Sequence, residues 1–161
     1  MTDRYTEQLT RYLEIYDSCA TVSKYQDLWE ISEAMIDEFL RKRWPELMAN
    51  DQLEISILPG WIPVIDRLCR SITEVLNENP GVRVTVHQVK EKFGGLRFYA
   101  TVDSATMDEC QLCDEHIPAS TRIYELIKRA EREADFICET CGAPGKKVTR
   151  GWIKTACDKH A

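Results

Sequence analysis

The fold is decided by the stretch VRVTVHQVKEKFGGLRFYATV, residues 82–102. Apolar side chains alternate with polar ones on both sides of a glycine pair, at Val82, Val84 and Val86 and again at Leu96, Phe98, Ala100 and Val102. A period of two is typical of strands that bury one face. The pair Gly94-Gly95 predicts a tight reversal between them. The stretch therefore predicts a β-hairpin over about residues 82–102.

Helical periodicity flanks this hairpin on both sides. Residues 61–78 place apolar side chains three and four apart, Pro63 suits a first helical turn, and NENPG ends the pattern. A last helix is predicted from a cap at Ser120 to about Phe136. The order of helices around one hairpin predicts an α+β fold in which helices pack on the hairpin.

The first 60 residues extend the helical part of this body. Helices are predicted over about residues 3–16 and 23–43, the second with Ser23 as its cap and Pro45 as its stop. A brief strand is predicted at Leu53–Leu58. We therefore expect a helical α+β body over residues 1–137, with a small element over 138–161 packed on it as part of a single domain.

The chain closes with CETCGAPGKKVTRGWIKTACDKHA, residues 138–161. A C-x2-C step is followed fifteen residues later by a C-x2-H step, and this spacing is typical of zinc sites built from two chelating turns. The predicted ligands are Cys138, Cys141, Cys157 and His160. Gly142 stands where such a turn commonly needs a positive φ. The residues between the steps predict a small hairpin, giving a two-knuckle element similar to a zinc ribbon.

The predicted zinc is structural. Four protein ligands leave no open position for water or substrate, and the H-x-E segment of zinc deaminases does not precede the C-x2-C step. A structural zinc can contribute on the order of 10 kcal/mol to ordering a segment with little apolar surface of its own. We expect Val148, Trp152 and Ile153 to supply what apolar burial this element has. The sequence predicts no enzyme.

A second cluster, CQLCDEH, offers Cys110, Cys113 and His116 as candidate ligands of a second zinc ion. The fourth ligand is not assigned; Cys19, Cys69, His87, Asp114 and Glu115 are the candidates. The alternative is that these residues fall by chance in an exposed connection over about residues 103–119. Cys69 also fits a small core residue on the apolar face of its helix.

Composition indicates a globular chain of 161 residues with a net charge of −6. It has seven cysteines, and five of them lie in C-x2-C or C-x2-H steps, which favours metal binding in a reducing cytoplasm over disulfides. The sequence has neither a long apolar run nor a signal pattern, so we expect neither a membrane span nor export. Residues 138–161 reverse the general charge, with five Lys and Arg against two Asp and Glu.

Two groups of basic and aromatic side chains are candidate partner-binding residues. The first lies on the hairpin and the second around the zinc turns: Lys90, Lys92, Arg97 and Tyr99, and Lys146, Lys147, Arg150 and Lys154. The second group could contact phosphate. A solvated surface is the alternative for both. A homodimer through the aromatic N-terminal helices is a further alternative, since Tyr5, Tyr12, Tyr16, Tyr25 and Trp29 exceed the needs of one small core.

Three phrases together resemble a family of small, mostly uncharacterised proteins of tailed bacteriophages and prophages: GWIPVIDRLC, VHQVKEKFGGLRFYA and CETCGAPGKKVTRGWIKTACDKH. The resemblance covers about residues 60–102 and 120–161, while residues 103–119 depart from it. It implies a structural zinc on the four C-terminal ligands and no activity. Proteins of this kind often act by occupying a host protein, which is an argument by analogy.

The functional prediction is a small non-enzymatic, zinc-stabilised protein that binds a host macromolecule in the bacterial cytoplasm, with inhibition of a defence system as its specific role. The alternative is a nucleic-acid-binding regulator that uses the basic zinc-knuckle tip. A weaker third reading is an enzyme with a catalytic ion at Cys110, Cys113 and His116.

Overall fold

The computed structural model describes residues 32–104 and 117–161, together with Glu7 and Thr10 as isolated helical positions. Within these residues the elements are, in chain order, α1 (Glu33–Arg43), β1 (Glu54–Ser56), a 3₁₀ turn (Pro59–Trp61), α2 (Ile62–Glu78), β2 (Val82–Lys92), β3 (Gly95–Ser104), α3 (Ala119–Ala134), β4 (Lys146–Val148) and β5 (Lys154–Ala156). The predicted α+β class is confirmed. Apart from Glu7 and Thr10, the predicted helix over residues 3–16 lies outside the described residues, as do the aromatic residues of a predicted dimer.

The central sheet has three strands in the order β1-β2-β3. Strand β1 runs parallel to β2, with Ile55 opposite Val89, and β2 runs antiparallel to β3. The register shifts between Val86 and Gln88, so a bulge at His87 interrupts the alternation. Val86 and Val89 are therefore both buried, although an uninterrupted period of two would place them on opposite faces.

The hairpin turn lies one residue earlier than the glycine pair predicts. Lys92 pairs with Gly95, so the two central residues are Phe93, at φ 53°, and Gly94, at φ 71°. Two successive positive φ angles are typical of the type I′ turn that suits the twist of a hairpin. The Glu91 side chain accepts a hydrogen bond of 2.6 Å from the Gly94 N–H. The predicted β-hairpin over about residues 82–102 is confirmed, with its turn centred one residue before the Gly94-Gly95 pair.

The predicted helix over residues 23–43 is not continuous through Ser32, and the predicted start of the last helix at Ser120 is wrong. Ser32 has an extended backbone (φ −77°, ψ 159°) and its side chain accepts from the Met35 N–H, so α1 begins at Glu33. A continuous helix from Ser23 is excluded by this cap; residues 23–31 themselves lie outside the described part. Helix α3 begins directly after Pro118, which places Ser120 inside its first turn and not at its cap.

Helix α2 supplies much of the core. Its buried side chains are Ile62, Pro63, Val64, Ile65, Asp66, Leu68, Cys69, Ile72 and Val75. Helix α3 packs against α2 and β3. The Glu131 carboxylate accepts a hydrogen bond of 3.0 Å from the backbone N–H of Phe98, which links α3 to the edge of the sheet. No helix in residues 32–104 or 117–161 has the length and apolar character needed to cross a membrane.

Candidate metal centre

Three thiols and one imidazole meet at the C-terminal end of the chain. The ligand atoms of Cys138, Cys141, Cys157 and His160 all lie within 4.8 Å of one another. The sulfurs of Cys141 and Cys157 are 3.8 Å apart, and His160 Nδ1 lies 3.4 Å from the Cys138 sulfur and 3.3 Å from the Cys157 sulfur.

These separations match the edges of a tetrahedron around one ion. With a Zn–S bond of about 2.3 Å, two sulfurs at tetrahedral positions lie about 3.8 Å apart, and a sulfur and a nitrogen somewhat closer. The group could therefore hold a metal ion, and a donor set of three sulfurs and one imidazole nitrogen is compatible with zinc. Each predicted metal ligand contributes one atom to this group.

Two tight turns place the four ligands. In the first, the Gly142 N–H donates to the Cys138 carbonyl at 2.9 Å, and Gly142 has φ 75°, as the sequence predicts. The Ala143 N–H donates to the Cys141 sulfur. In the second turn, the backbone N–H groups of Lys159 and His160 approach the Cys157 sulfur. Such N–H groups favour the thiolate form because they face negative charge on sulfur.

The surroundings of the four groups shift their protonation in different directions. Burial raises the pKa of Cys141 to about 12. Burial also acts to raise the pKa of Cys157, but backbone and thiol hydrogen bonds outweigh it, so this pKa is lowered. Burial, Lys159 and Lys154 lower the pKa of His160, which favours the neutral imidazole that a metal needs.

The turns are fixed to the rest of the molecule by close backbone contacts. Gly60, in the 3₁₀ turn, donates its N–H to the Glu139 carbonyl at 2.8 Å, and a Cβ at Gly60 would lie 2.1 Å from the Cys138 carbonyl oxygen. The buried indole of Trp61 donates to the Ile137 carbonyl at 3.0 Å. The 3₁₀ turn thus packs directly on the first ligand turn and fixes its position.

The tip of the β2–β3 hairpin is the second contact. The Thr155 hydroxyl donates to the Gly94 carbonyl at 2.6 Å, and a Cβ at Gly94 would lie 3.0 Å from the Lys154 carbonyl carbon. Strands β4 and β5 form the predicted small hairpin, and β5 lies against this tip. Sequence reasoning missed the roles of Gly60 and Thr155, because their partners lie far away in the chain.

Trp152 does not supply the burial that we expect from the sequence. Its side chain is 78% exposed, whereas Thr155 and Ala156 are fully buried. The prediction is wrong because Trp152 follows Gly151, whose φ of 81° belongs to the β4–β5 turn, and this turn projects into solvent. Val148 and Ile153 are half-buried, as that prediction allows.

The second predicted metal cluster, Cys110, Cys113 and His116, lies outside the described residues. Of its candidate fourth ligands, Cys69 is fully buried in α2, and burial raises its thiol pKa far above the usual range. His87 is exposed on the sheet, with Nε2 2.7 Å from the Thr101 hydroxyl. Within residues 32–104 and 117–161, the C-terminal group is the single meeting point of three or more potential ligands.

The two predicted groups of basic side chains lie around the same contact. Lys90 is opposite Arg97 in the hairpin and its ammonium lies 5.9 Å from the centre of the Tyr99 ring, while Lys92 lies 5.7 Å from the ring of Phe93. The hairpin tip packs on β5, which brings these residues close to the C-terminal group.

Some of the C-terminal cations already have partners. Lys146 lies 3.2 Å from Asp158 and Lys147 lies 3.6 Å from Asp135, both at exposed positions where such pairs contribute little stability. The Lys154 ammonium donates to the His160 carbonyl, so it ties the last turn to β5. Arg150 is exposed in the β4–β5 turn.

Comparison of the chain with protein-family models, curated proteins and solved structures gave no match.

Proposed function

We propose that the chain is a non-enzymatic binding protein whose C-terminal element is held in place by one structural zinc ion. The observation that carries the proposal is the approach of four ligand atoms to within 4.8 Å, with separations that fit a tetrahedron. Cys138, Cys141, Cys157 and His160 would hold the ion. A shell of four protein ligands has no open position, so the metal would stabilise the fold and not perform chemistry.

The partner in this proposal is a host macromolecule. The resemblance of residues 60–102 and 120–161 to proteins of tailed bacteriophages supports action in the cytoplasm of a bacterial host, with inhibition of a defence component as the specific role. The solvent-facing side of the hairpin around Lys90, Arg97 and Tyr99 would serve as contact surface, because Tyr and Arg are enriched at protein interfaces.

One observation favours nucleic acid as the second candidate partner. The hairpin packs on β5, so the basic residues of the hairpin and of the C-terminal element share one end of the molecule. A combined basic surface is a stronger attraction for phosphates than either group alone.

Elemental analysis of the purified chain tests the zinc proposal. We expect one zinc per chain, lost in Cys138→Ser and retained in the matched control Asp158→Asn, which changes an exposed residue between two ligands. Zinc-free protein with an unchanged C-terminal fold would overturn the proposal. A second zinc ion that is lost in Cys110→Ser would show that the cluster Cys110, Cys113 and His116 binds metal. It would also support the alternative that the protein is an enzyme.

Capture experiments test the partner. A tagged chain in bacterial lysate should retain one stoichiometric host protein or a nucleic acid, and Lys90→Glu with Arg97→Glu should release it. Retention of chaperones and ribosomes alone, in equal amounts from both forms, would contradict binding through this surface.

A further inference from the structure

Three large aromatic side chains are exposed at the end of the molecule that carries the metal centre. Phe93 is 66% exposed, Phe136 is 72% exposed and Trp152 is 78% exposed. They come from three different elements: the β2–β3 turn, the segment after α3, and the β4–β5 turn. Burial of such large apolar side chains is ordinarily favourable, so three exposed ones in one region indicate an interaction surface.

The packing around Gly94 and Gly95 brings these three elements together. A Cβ at Gly94 would lie 3.2 Å from the Ile153 side chain, and Ile153 is next to Trp152. A Cβ at Gly95 would lie 3.4 Å from a carboxylate oxygen of Asp135, which is next to Phe136. Each of the three aromatic residues is thus next in the chain to a residue that takes part in the packing around Gly94 and Gly95. We call Phe93, Phe136 and Trp152 the aromatic tip.

The segments that carry the aromatic tip have an excess of positively charged residues. Residues 90–97 and 135–161 carry eight Lys and Arg against four Asp and Glu, in a chain whose net charge is −6. Three thiolates with one zinc ion would add a single negative charge, which leaves the tip positive. Acidic groups more than about 10 Å away are largely screened at physiological salt. The charge at this end therefore favours a polyanionic partner.

Among polyanions, single-stranded nucleic acid best fits a surface that carries both aromatic rings and cations. Single-stranded nucleic acid offers unpaired bases that stack on aromatic side chains, with phosphates between them that pair with cations. In a duplex the base faces are already stacked on each other, so an aromatic tip would gain little from it. The Lys92 ammonium, 5.7 Å from the centre of the Phe93 ring, shows the two kinds of group side by side.

We infer that the aromatic tip, with Lys92, Lys147 and Arg150, is a binding surface for single-stranded DNA or RNA. The inference rests on the proposed function, because the zinc site positions the turn that carries Trp152 and Arg150. It goes beyond that proposal in naming the class of partner and the stacking residues. Binding is set by the stacking of bases and the pairing of phosphates, so it tolerates many sequences and falls as salt rises.

Fluorescence anisotropy with labelled oligonucleotides tests the inference on the zinc-loaded full chain. The probes are a 20-nucleotide oligo(dT), a 20-nucleotide oligo(A) RNA and a 20-base-pair DNA duplex, each measured over a salt series. Trp152→Ala and Phe136→Ala remove stacking, and Tyr124→Ala is the matched control. Tyr124 is also exposed, but it lies ten residues, or about 15 Å, from the end of α3 that faces the tip.

Two charge-reversal variants, one in the proposed surface and one as its control, complete the experiment. Arg150→Glu lies in the β4–β5 turn, and its control Arg83→Glu lies at an exposed position of β2, nine residues or about 30 Å from Lys92. Arg150→Glu should weaken binding of every single strand and make the salt dependence shallower, because it removes a phosphate contact. Zinc content and the circular dichroism spectrum are recorded for each variant.

The expected result is that both single strands bind more tightly than the duplex and that Trp152→Ala and Phe136→Ala each weaken binding at least about five-fold. The controls should bind like the unchanged chain. Failure of zinc-loaded, folded protein to bind any single strand at low salt would overturn the inference while leaving the zinc proposal intact, and would assign the tip to a protein partner. Equal affinity for the duplex, or equal loss in Tyr124→Ala, would also overturn it. If Trp152→Ala fails to fold, Phe136→Ala and Arg150→Glu decide the matter.

Discussion

The hydroxyl of Thr155 donates a hydrogen bond of 2.6 Å to the carbonyl oxygen of Gly94, 61 residues earlier in the chain. Thr155 is fully buried in β5, next to the metal ligands, and Gly94 lies in the turn of the central hairpin. This bond joins the sheet of the body to the strand pair of the C-terminal element. It holds the tip of the hairpin against the strand that leads into Cys157.

Replacement of Thr155 by valine should destabilise the protein by about 1–3 kcal/mol. Valine keeps the shape but leaves the buried Gly94 carbonyl without its donor, and an unsatisfied buried polar group costs this much. Urea unfolding of the zinc-loaded protein measures the effect. Thr149→Val, at an exposed position of the β4–β5 turn, is the control, and equal stability of the two variants would contradict a coupling role for Thr155.

Zinc affinity should fall as the pH falls. The metal binds thiolates, and burial raises the pKa of Cys141 to about 12 in the metal-free chain, so at least this thiol must lose a proton on binding. The lowered pKa of His160 leaves the imidazole neutral near pH 7, so it adds little further proton release there. The affinity should therefore rise at least about ten-fold per pH unit between pH 6 and 8.

Competition with a chromogenic zinc chelator at several pH values measures this dependence, once the chelator's own protonation is corrected for. The stability that the metal provides should be present at high pH and lost as the pH is lowered. An affinity constant that does not change between pH 6 and 8 would show that Cys141 does not bind the metal as a thiolate.

Replacement of Gly60 by alanine should cost about 3 kcal/mol. The added Cβ would lie 2.1 Å from the Cys138 carbonyl oxygen and 2.6 Å from that of Glu139, and both are backbone atoms that cannot move without shifting the first ligand turn. Thermal unfolding with zinc present measures the loss.

Gly151→Ala is the control for this substitution. Gly151 has φ 81° but open space around it, so alanine there meets only the backbone strain of about 1–2 kcal/mol. If the Gly60→Ala protein were as stable as the Gly151→Ala protein, the 3₁₀ turn would not pack closely on the first ligand turn.

Asp66→Ala should destabilise the body by about 1–3 kcal/mol. The Asp66 carboxylate is buried in α2 and accepts hydrogen bonds from Arg43, from Arg70 and, at 2.9 Å, from the indole of Trp44. Its removal takes the carboxylate acceptor away from the indole N–H of half-buried Trp44, while the guanidinium groups of Arg43 and Arg70 stay in contact with solvent. Chemical denaturation measures the change, and the exposed Asp51→Ala should lose less than about 0.5 kcal/mol. Similar losses in both would contradict a structural role for Asp66.

The correct predictions concern residues that are close together in the chain, and the missed contacts join residues that are far apart. The hairpin, helix α2 and the two ligand turns follow from residues close together in the chain: alternating valines, the Pro63 first turn, and two chelating steps with Gly142. The errors are also local in origin. Gly94-Gly95 suggested the turn one residue late, since Phe93 adopts a positive φ that its side chain does not favour. The helical periodicity extends back to Ser23, which is why the sequence predicts the cap there, whereas α1 begins after Ser32.

By itself the sequence determined the α+β class, the strand pair around Gly94 and the four residues that meet at the C-terminal group, because periodicity and chelate spacing are properties of short segments. Only the tertiary structure decided that Gly60 seats the ligand turn, that Thr155 holds the hairpin tip, and that Phe93, Phe136 and Trp152 share one end of the molecule. These relations join residues tens of positions apart, and they depend on how helices and sheet pack, which no local pattern encodes.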